Sequence, residues 1–235
     1  MIVPLNAPVQ GRHFCPTTML PLFDHLVYAV PDLQASNDAL AAGLGLRPTY
    51  GGEHAAHYGT CNSLLALGPR CYLELLAPAV AAGPERPLFA QNIAALPGGD
   101  IISFAIASSD LPAIAAKARA AGLGVRAGSA NSRITPQGHT LRWQGLYLDS
   151  DVYCGLVPFC IDWLDSVHPS ATATAGATVH ELFVVHPQPE GLRAFYAAMG
   201  IGIAVHAGNR PAIVATLAHG AQRFTLVGSG RGLGL

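Results

Sequence analysis

One glutamate, Glu74, lies in the middle of a segment whose other residues are mostly apolar. The segment 57–77 predicts two short strands joined by a turn at 68–69. Because side chains alternate along a strand, Glu74 shares one face with Tyr72 and Leu76. A buried carboxylate there must be paired, hydrogen-bonded, metal-bound or protonated. The alternative is a solvated face, on which Glu74 is an ordinary edge glutamate.

A histidine, His25, occupies an earlier apolar run at 22–30 that predicts the first strand. If the first and last strands of one unit pair, His25 and Glu74 lie side by side, as half of a site for zinc, iron, nickel or manganese. His57 would be a third ligand if its loop folds inward, and His139, on the matching loop of the second unit, would be a fourth. The alternatives are a hydrogen-bonded core histidine at His25 and an exposed loop residue at His57.

Other residues suggest binding or nucleophilic chemistry less directly. Arg142 precedes Trp143 in a predicted strand, and its guanidinium can clamp a substrate carboxylate or carbonyl, or form a rim salt bridge with Asp149 or Asp151. Cys61 is a candidate thiol nucleophile, but the sequence indicates no base oriented towards it. The chain has neither a serine elbow between a strand and a helix nor a phosphate-binding glycine loop.

The composition excludes several classes of partner. Of 235 residues, 11% are charged and the formal net charge is −1, so no basic surface is available for nucleic acid. No apolar run approaches the roughly 18 residues of a membrane-spanning helix. The five cysteines are odd in number and form no Cys-x-x-Cys pair, which predicts a reduced, cytoplasmic chain. A single lysine beside many arginines, alanines and glycines indicates a GC-rich, bacterial source.

The order of a strand, a helix and three strands recurs along the chain, and this repetition predicts an α+β fold. The expected parts are an N-terminal arm at 1–19, a first βαβββ unit at 20–78, a linker at 79–99, a second unit at 100–164, a linker at 165–177, a third, shortened unit at 178–228 and a glycine-rich tail at 229–235. Two such units side by side form a mixed sheet that encloses a cup. The third unit packs against the pair or against a second subunit, so a homodimer is one expectation.

Alignment of the repeats shows which residues would correspond between units. Matching the helix starts of the first two units places Ser103 opposite His25. The residue nearest the position of Glu74 is then Cys160. Neither Ser103 nor Cys160 completes a metal site of the usual kind. In the third unit His180 falls opposite His25.

Several motifs together point to a known group of proteins. In chain order they are Asp24-His25-Leu-Val-Tyr-Ala-Val30, His57-x-Gly59-Thr60-x-Asn62, Tyr72-Leu73-Glu74-Leu75, Leu141-Arg142-Trp143 and Pro158-Phe159-Cys-Ile161-Asp162-Trp163. Over about residues 20–170 the chain resembles the glyoxalase-like branch of the vicinal oxygen chelate superfamily. The resemblance implies paired βαβββ units, with metal ligands on the first and last strands of each unit. His25 and Glu74 match one half of that pattern, whereas the second half departs from it.

The superfamily includes lyases, epimerases, dioxygenases, thiol transferases and drug-sequestering proteins, and the fold does not choose among them. In one reading, a divalent metal held by His25, Glu74 and His57 chelates two neighbouring oxygens of a small substrate, as in a lyase, isomerase or dioxygenase. Glu74 and His57 are then the candidate catalytic groups, with Glu74 alternatively acting as base. In the other reading, a metal-free cup binds a small molecule without turnover, as in sequestration or resistance proteins. The candidate binding residues are Asn62, Tyr72, Arg142, Trp143 and Trp163. The sequence favours the enzyme.

Overall fold

The computed structural model describes residues 22–80, 86–230 and 232. The N-terminal arm expected at 1–19, part of the expected first linker and most of the expected tail lie outside these described residues. None of the described helices is long and apolar enough to cross a membrane.

The first unit has the predicted order of a strand, a helix and three strands. Its elements are β1 (Phe23–Ala29), α1 (Leu33–Leu44), β2 (Thr49–Glu53), β3 (Thr60–Gly68) and β4 (Cys71–Pro78). The Asp32 side chain caps α1 by accepting a hydrogen bond from the backbone N–H of Ala35 at 2.9 Å. Gly45 ends the helix in the left-handed conformation, with φ of 76°. β3 and β4 pair antiparallel, which confirms the predicted hairpin.

The second unit follows a short helix and repeats the same order. Its elements, after α2 (Leu88–Ala94), are β5 (Asp100–Ala107), α3 (Leu111–Ala120), β6 (Gly124–Ile134), β7 (Thr140–Asp149) and β8 (Phe159–Asp162). β1 and β5 pair antiparallel and join the units into one eight-stranded sheet, in the order β2-β3-β4-β1-β5-β8-β7-β6. The β1–β4 and β5–β8 pairs are parallel, so the sheet is mixed, as predicted. We call its concave face the cup.

The register between β1 and β5 reveals a twofold relation between the two units. His25 lies opposite Ala105, and Val27 lies opposite Ser103. If Ser103 is matched to His25 and Ala105 to Val27, as in the alignment of the repeats, these two pairs exchange when the units are interchanged. The register thus agrees with the alignment of the repeats.

The same register corrects the partner expected for Glu74. Val27 lies opposite Glu74 in the first unit, and the corresponding residue Ala105 lies opposite Phe159 in the second. Phe159, not Cys160, is therefore the counterpart of Glu74. Cys160 is one residue further along β8, and alternation turns its side chain to the convex face, where it is buried in the main core.

The third unit has the expected order of elements but a different order of strands. It comprises β9 (Thr178–His186), α4 (Pro189–Met199), β10 (Ala204–Ala207), β11 (Ala212–His219) and β12 (Gln222–Gly228). Its first strand β9 pairs with β10 and β11, giving the order β10-β9-β11-β12. In the first unit, by contrast, β1 pairs with the last strand β4. The third unit therefore forms a separate sheet and does not extend the sheet that forms the cup.

This second sheet packs against the pair of units on the convex side. The main core joins Leu26 and Leu73 of the large sheet to Val184 and Leu217 of the small one, all of them 0% exposed. A Cβ added to Gly228 of β12 would overlap the backbone of β5, so the two sheets approach closely. Of the two expected arrangements, the chain adopts packing against the pair, and the homodimer stays a prediction.

Candidate functional site

The cup contains a cavity of about 100 Å³ lined by residues of both units. Its walls are largely aromatic, with contributions from Tyr72, Trp143, Tyr147, Phe159 and Trp163. Its polar groups are His25, His54, Asn62, Glu74 and Arg133, together with Tyr58 and Thr60 at the loop side. Convergent polar groups in an apolar concavity are typical of a small-molecule site.

His25 is held by the residue before it. Its Nδ1 lies 2.6 Å from Oδ1 of Asp24, and the Asp24 side chain is completely buried. Burial raises the pKa of Asp24, but hydrogen bonds from His168 and His25 outweigh it and hold that pKa well below its ordinary value. An ionised acceptor requires the proton of the neutral imidazole on Nδ1, which leaves the Nε2 lone pair free. The Tyr72 ring stacks on the imidazole, with centroids 4.5 Å apart.

The other oxygen of Asp24 is also fully engaged. Oδ2 accepts hydrogen bonds from Trp163 Nε1 at 3.0 Å and from His168 Nε2 at 3.1 Å. His168 Nδ1 accepts from the backbone N–H of Ser170 at 3.2 Å, so Nε2 carries the proton. Trp163, predicted to bind substrate, thus lines the cup but commits its N–H to Asp24.

Sequence reasoning missed both Asp24 and His168. The signal for Asp24 was present, because an aspartate within an apolar strand needs a partner. No comparable signal marked His168, which lies in the segment 165–177 that was expected to be only a linker.

Glu74 faces the cup and is 8% exposed. Its Oε1 accepts a hydrogen bond from Asn62 Nδ2 at 2.6 Å, while Oε2 lies 3.9 Å from His25 Nε2. Asn62 Oδ1 accepts in turn from Arg133 Nη1 at 2.9 Å, which fixes the orientation of the amide. Glu74 and His25 therefore present two proton acceptors side by side on one wall.

The histidine that enters the cup from the loop side is His54. Its Nε2 lies 3.3 Å from Asn62 Nδ2 and 3.6 Å from Oε1 of Glu74, while Nδ1 lies 2.9 Å from Thr60 Oγ1. Because the Asn62 amide donates, His54 Nε2 is an acceptor and Nδ1 carries the proton. Burial lowers the pKa of His54, which keeps the ring neutral at pH 7.

The structure thus corrects the choice of histidine, because His57 is exposed and does not line the cavity. The backbone N–H of His54 donates to Thr60 O at 2.9 Å, which continues the ladder between strands and keeps His54 pointing inward. The next residues form a turn in which Tyr58 N–H donates to Ala55 O, and this turn carries His57 outward. There its ring packs on Tyr58, with centroids 4.2 Å apart.

The structure also corrects which arginine faces the cup. Trp143 lines the cup, so alternation along β7 turns its neighbour Arg142 to the outside, where it is exposed. The expected Arg142 salt bridge is also absent from the described residues, since Asp149 pairs instead with Arg126 at 3.6 Å. The arginine that does enter the cup is Arg133 of β6, which is 5% exposed.

Two further candidates fall outside the cup. His139 lies exposed on the turn between β6 and β7. Cys61 is buried, and burial followed by the charge of Glu53 raises the pKa of its thiol, which disfavours the nucleophilic thiolate.

The residues do not fit the four-ligand metal centre that the resemblance implies. His25 Nε2 and Glu74 Oε2 provide one half, but the corresponding residues of the second unit are Ser103 and Phe159, and phenylalanine has no donor atom. His54 Nε2 is occupied by the Asn62 amide. Within the part of the chain that the structure describes, no three His, Cys, Asp or Glu side chains are arranged to hold a metal ion.

Comparison with solved structures finds several proteins that are similar to this chain. A structure of a hypothetical protein from Staphylococcus aureus is 18% identical, with 86% of this chain and 84% of that chain covered and a TM-score of 0.58. Methylmalonyl-CoA epimerase from Mycobacterium tuberculosis is 21% identical over 65% of this chain and 94% of its own, with a TM-score of 0.46. A mutant 4-hydroxymandelate synthase from Streptomyces coelicolor is 17% identical over 88% and 62%, with a TM-score of 0.43.

These likenesses concern the fold alone, and no curated protein matches the chain. The model of the glyoxalase-like domain family matches residues 23–200, which is well over half of the sequence. The match includes both units of the cup and the start of the third. The protein therefore belongs to the glyoxalase-like domain family.

Proposed function

We propose that the protein is an enzyme that moves a proton on a small, oxygen-bearing substrate bound in the cup, with His25 as the base. The observation that carries this proposal is the 2.6 Å hydrogen bond from His25 Nδ1 to the buried carboxylate of Asp24. That bond orients the ring and leaves Nε2 free to accept a proton. Because the walls are aromatic, a charge that forms in the cavity interacts strongly with nearby dipoles.

The position of Glu74 favours a transfer between neighbouring atoms of the substrate. Its Oε2 lies 3.9 Å from His25 Nε2, on the same wall of the cavity. On an α-hydroxyketone, His25 Nε2 can take the proton of the hydroxyl-bearing carbon and return it to the adjacent carbonyl carbon on the same face. Glu74 can take the hydroxyl proton and return it to the carbonyl oxygen, so both groups end as they began. Inversion at a single carbon would instead need acceptors on opposite faces. The arrangement thus supports an isomerase-type reaction through an enol.

Tyr147 supplies a candidate donor for the oxygen of that enol. It reaches the cavity from β7, in the second unit. Burial, together with the neighbouring Tyr58, raises the pKa of the Tyr147 hydroxyl, so the hydroxyl stays protonated and can donate. A positioned donor of this kind stabilises developing negative charge on a substrate oxygen.

The proposed reaction uses no metal, because Ser103 and Phe159 occupy the second half of the expected ligand set and do not complete it. The second candidate function is binding without turnover. The observation that favours it is the continuous aromatic lining, which would hold an apolar molecule without any proton transfer.

Proton exchange in D₂O, followed by ¹H NMR, tests the proposal on a panel of ketones, hydroxyketones, 2-oxo acids and thioesters. We expect the wild type to catalyse exchange of a carbon-bound hydrogen, and His25→Asn to slow it by about 10²- to 10⁴-fold. The exposed His57→Ala and Arg142→Ala variants should retain the wild-type rate. Undiminished exchange in His25→Asn would refute the assignment of the base. Saturable binding without exchange would favour the binding function.

A further inference from the structure

Arg133 is a buried cation without a carboxylate partner. It is 5% exposed, and its Nη1 donates to Asn62 Oδ1 at 2.9 Å. Among residues 22–80, 86–230 and 232, that is the only hydrogen bond of its guanidinium, and no carboxylate oxygen lies within 4.0 Å of it. Burying a charge without a direct partner is costly, so arginines in such positions usually pair with an anion.

Two glycines, Gly51 and Gly52, leave space for the Arg133 side chain. A Cβ added to Gly51 would overlap both Arg133 Nη1 and Asn62 Oδ1. A Cβ added to Gly52, whose φ is 121°, would lie 2.8 Å from the carbonyl oxygen of Ile134. The two glycines thus let β2 and β6 approach at the rim of the cup, with the guanidinium between them.

In the cavity, the Arg133 guanidinium and the Glu74 carboxylate do not contact each other directly. Arg133 alone carries a permanent positive charge among the described residues that line it. The Asn62 amide separates Arg133 from Glu74 through hydrogen bonds of 2.9 and 2.6 Å. The N–H groups of Arg133 that Asn62 does not use are left for the cavity. A ligand that presents an anion to Arg133 would place its adjacent atoms towards Glu74 and His25.

We propose that Arg133 is the anion-recognition residue of the cup and that the substrate is a small carboxylate with an oxygen-bearing carbon next to the carboxyl group. A planar guanidinium matches the two oxygens of a carboxylate, and the aromatic walls accept the rest of the molecule. This inference rests on the proposed function in that it takes the cup as the substrate site, but it concerns binding and not turnover.

Matched pairs of probes test the inference, namely acetate and acetamide, pyruvate and pyruvamide, and phenylacetate and phenylacetamide. The chain has two tryptophans, Trp143 and Trp163, and both line the cup, so intrinsic fluorescence reports binding. We expect at least one carboxylate to bind about 10- to 100-fold more tightly than its amide. Arg133→Gln should abolish this preference while leaving the affinity for the amide, and Arg133→Lys should retain part of it. The exposed Arg142→Gln is the matched control and should behave as wild type.

Three results would overturn the inference: no carboxylate of the panel binds, carboxylate and amide bind equally to the wild type, or the preference survives in Arg133→Gln. The same samples in D₂O separate this inference from the proposed function. A carboxylate preference that depends on Arg133, without hydrogen exchange, would uphold the anion site and refute the proton transfer. Hydrogen exchange without any carboxylate preference would uphold the proton transfer and refute the anion site.

Discussion

Replacing Asp24 by asparagine should reverse the tautomer of His25 without altering the fold. Asp24 Oδ2 accepts from Trp163 Nε1 and His168 Nε2. An indole nitrogen can only donate, and His168 must also donate from Nε2 because its Nδ1 accepts from a backbone N–H. The amide oxygen of Asp24→Asn must therefore occupy the place of Oδ2. Its NH₂ group then faces His25 Nδ1.

That orientation makes His25 Nδ1 an acceptor and moves its proton to Nε2, which removes the lone pair that faces the cup. Under the proposed function, hydrogen exchange should fall by about 10²- to 10⁴-fold. Three hydrogen bonds to a charged acceptor, each worth about 1.5–3 kcal/mol, become bonds to a neutral amide, each worth about 0.5–1.5 kcal/mol. Part of this loss is offset because no buried charge remains, so we expect the free energy of unfolding to fall by about 1–3 kcal/mol.

The assay is ¹⁵N NMR of the imidazole groups, combined with urea unfolding and hydrogen exchange. The His25 signals should indicate Nδ1–H in the wild type and Nε2–H in Asp24→Asn. The exposed Asp151→Asn is the control for loss of one carboxylate and should leave all three measurements unchanged. If the tautomer reverses while exchange stays within tenfold of the wild type, His25 is not the base. If the tautomer does not reverse, the hydrogen-bond roles assigned to Trp163 and His168 are wrong.

Two further predictions concern stability. The folded-state pKa of Asp24 lies below its ordinary value of 3.8, so the unfolded chain binds more protons at low pH; the contribution of Asp24 is present above about pH 4 and is lost below it. Urea unfolding at pH 7, 5 and 3 should show a steeper decline below pH 4 in the wild type than in Asp24→Asn, and parallel declines would contradict the role of this carboxylate. Gly51→Ala should lower the free energy of unfolding by about 1–3 kcal/mol and weaken ligand binding, because its methyl group would overlap Arg133 and Asn62. At Gly98 an added Cβ would meet no atom within 4 Å outside the adjacent residues, so Gly98→Ala should change stability by about 0.5 kcal/mol or less. Equal losses in the two variants would refute the steric argument.

The paired sheet could be predicted from the sequence because its determinants are local and repeated. Alternation within 71–78 assigned Glu74 to one face of a strand, and Asp32 and Asp110 marked the starts of two corresponding helices. Repetition of the unit then brought His25 and Glu74 to the same wall. The strand order of the third unit could not be predicted this way, because a βαβββ sequence is compatible with pairing of its first strand to more than one later strand.

The errors within the site have different physical origins. The choice of His57 over His54 depended on the geometry of one turn, which residue types alone do not determine. Arg133 also lay beyond prediction, since only the approach of β2 to β6 brings it to Asn62. The pairing of Arg142 with Trp143 as cup residues was avoidable, because neighbours on a strand cannot both face one side.

Comparison of equivalent positions in the two units explains why the proton acceptors lie on one side of the cup only. The strand positions that carry His25 and Glu74 in the first unit carry Ser103 and Phe159 in the second. A symmetric cup would surround its ligand with equivalent donors, and a metal could join the two halves. Here the first unit supplies both proton acceptors, whereas the second supplies most of the aromatic wall and the cation Arg133. A substrate bound by its anion to the second unit would therefore meet the proton acceptors on one face only, which is the geometric reason to expect proton transfer between adjacent atoms and not inversion at one carbon.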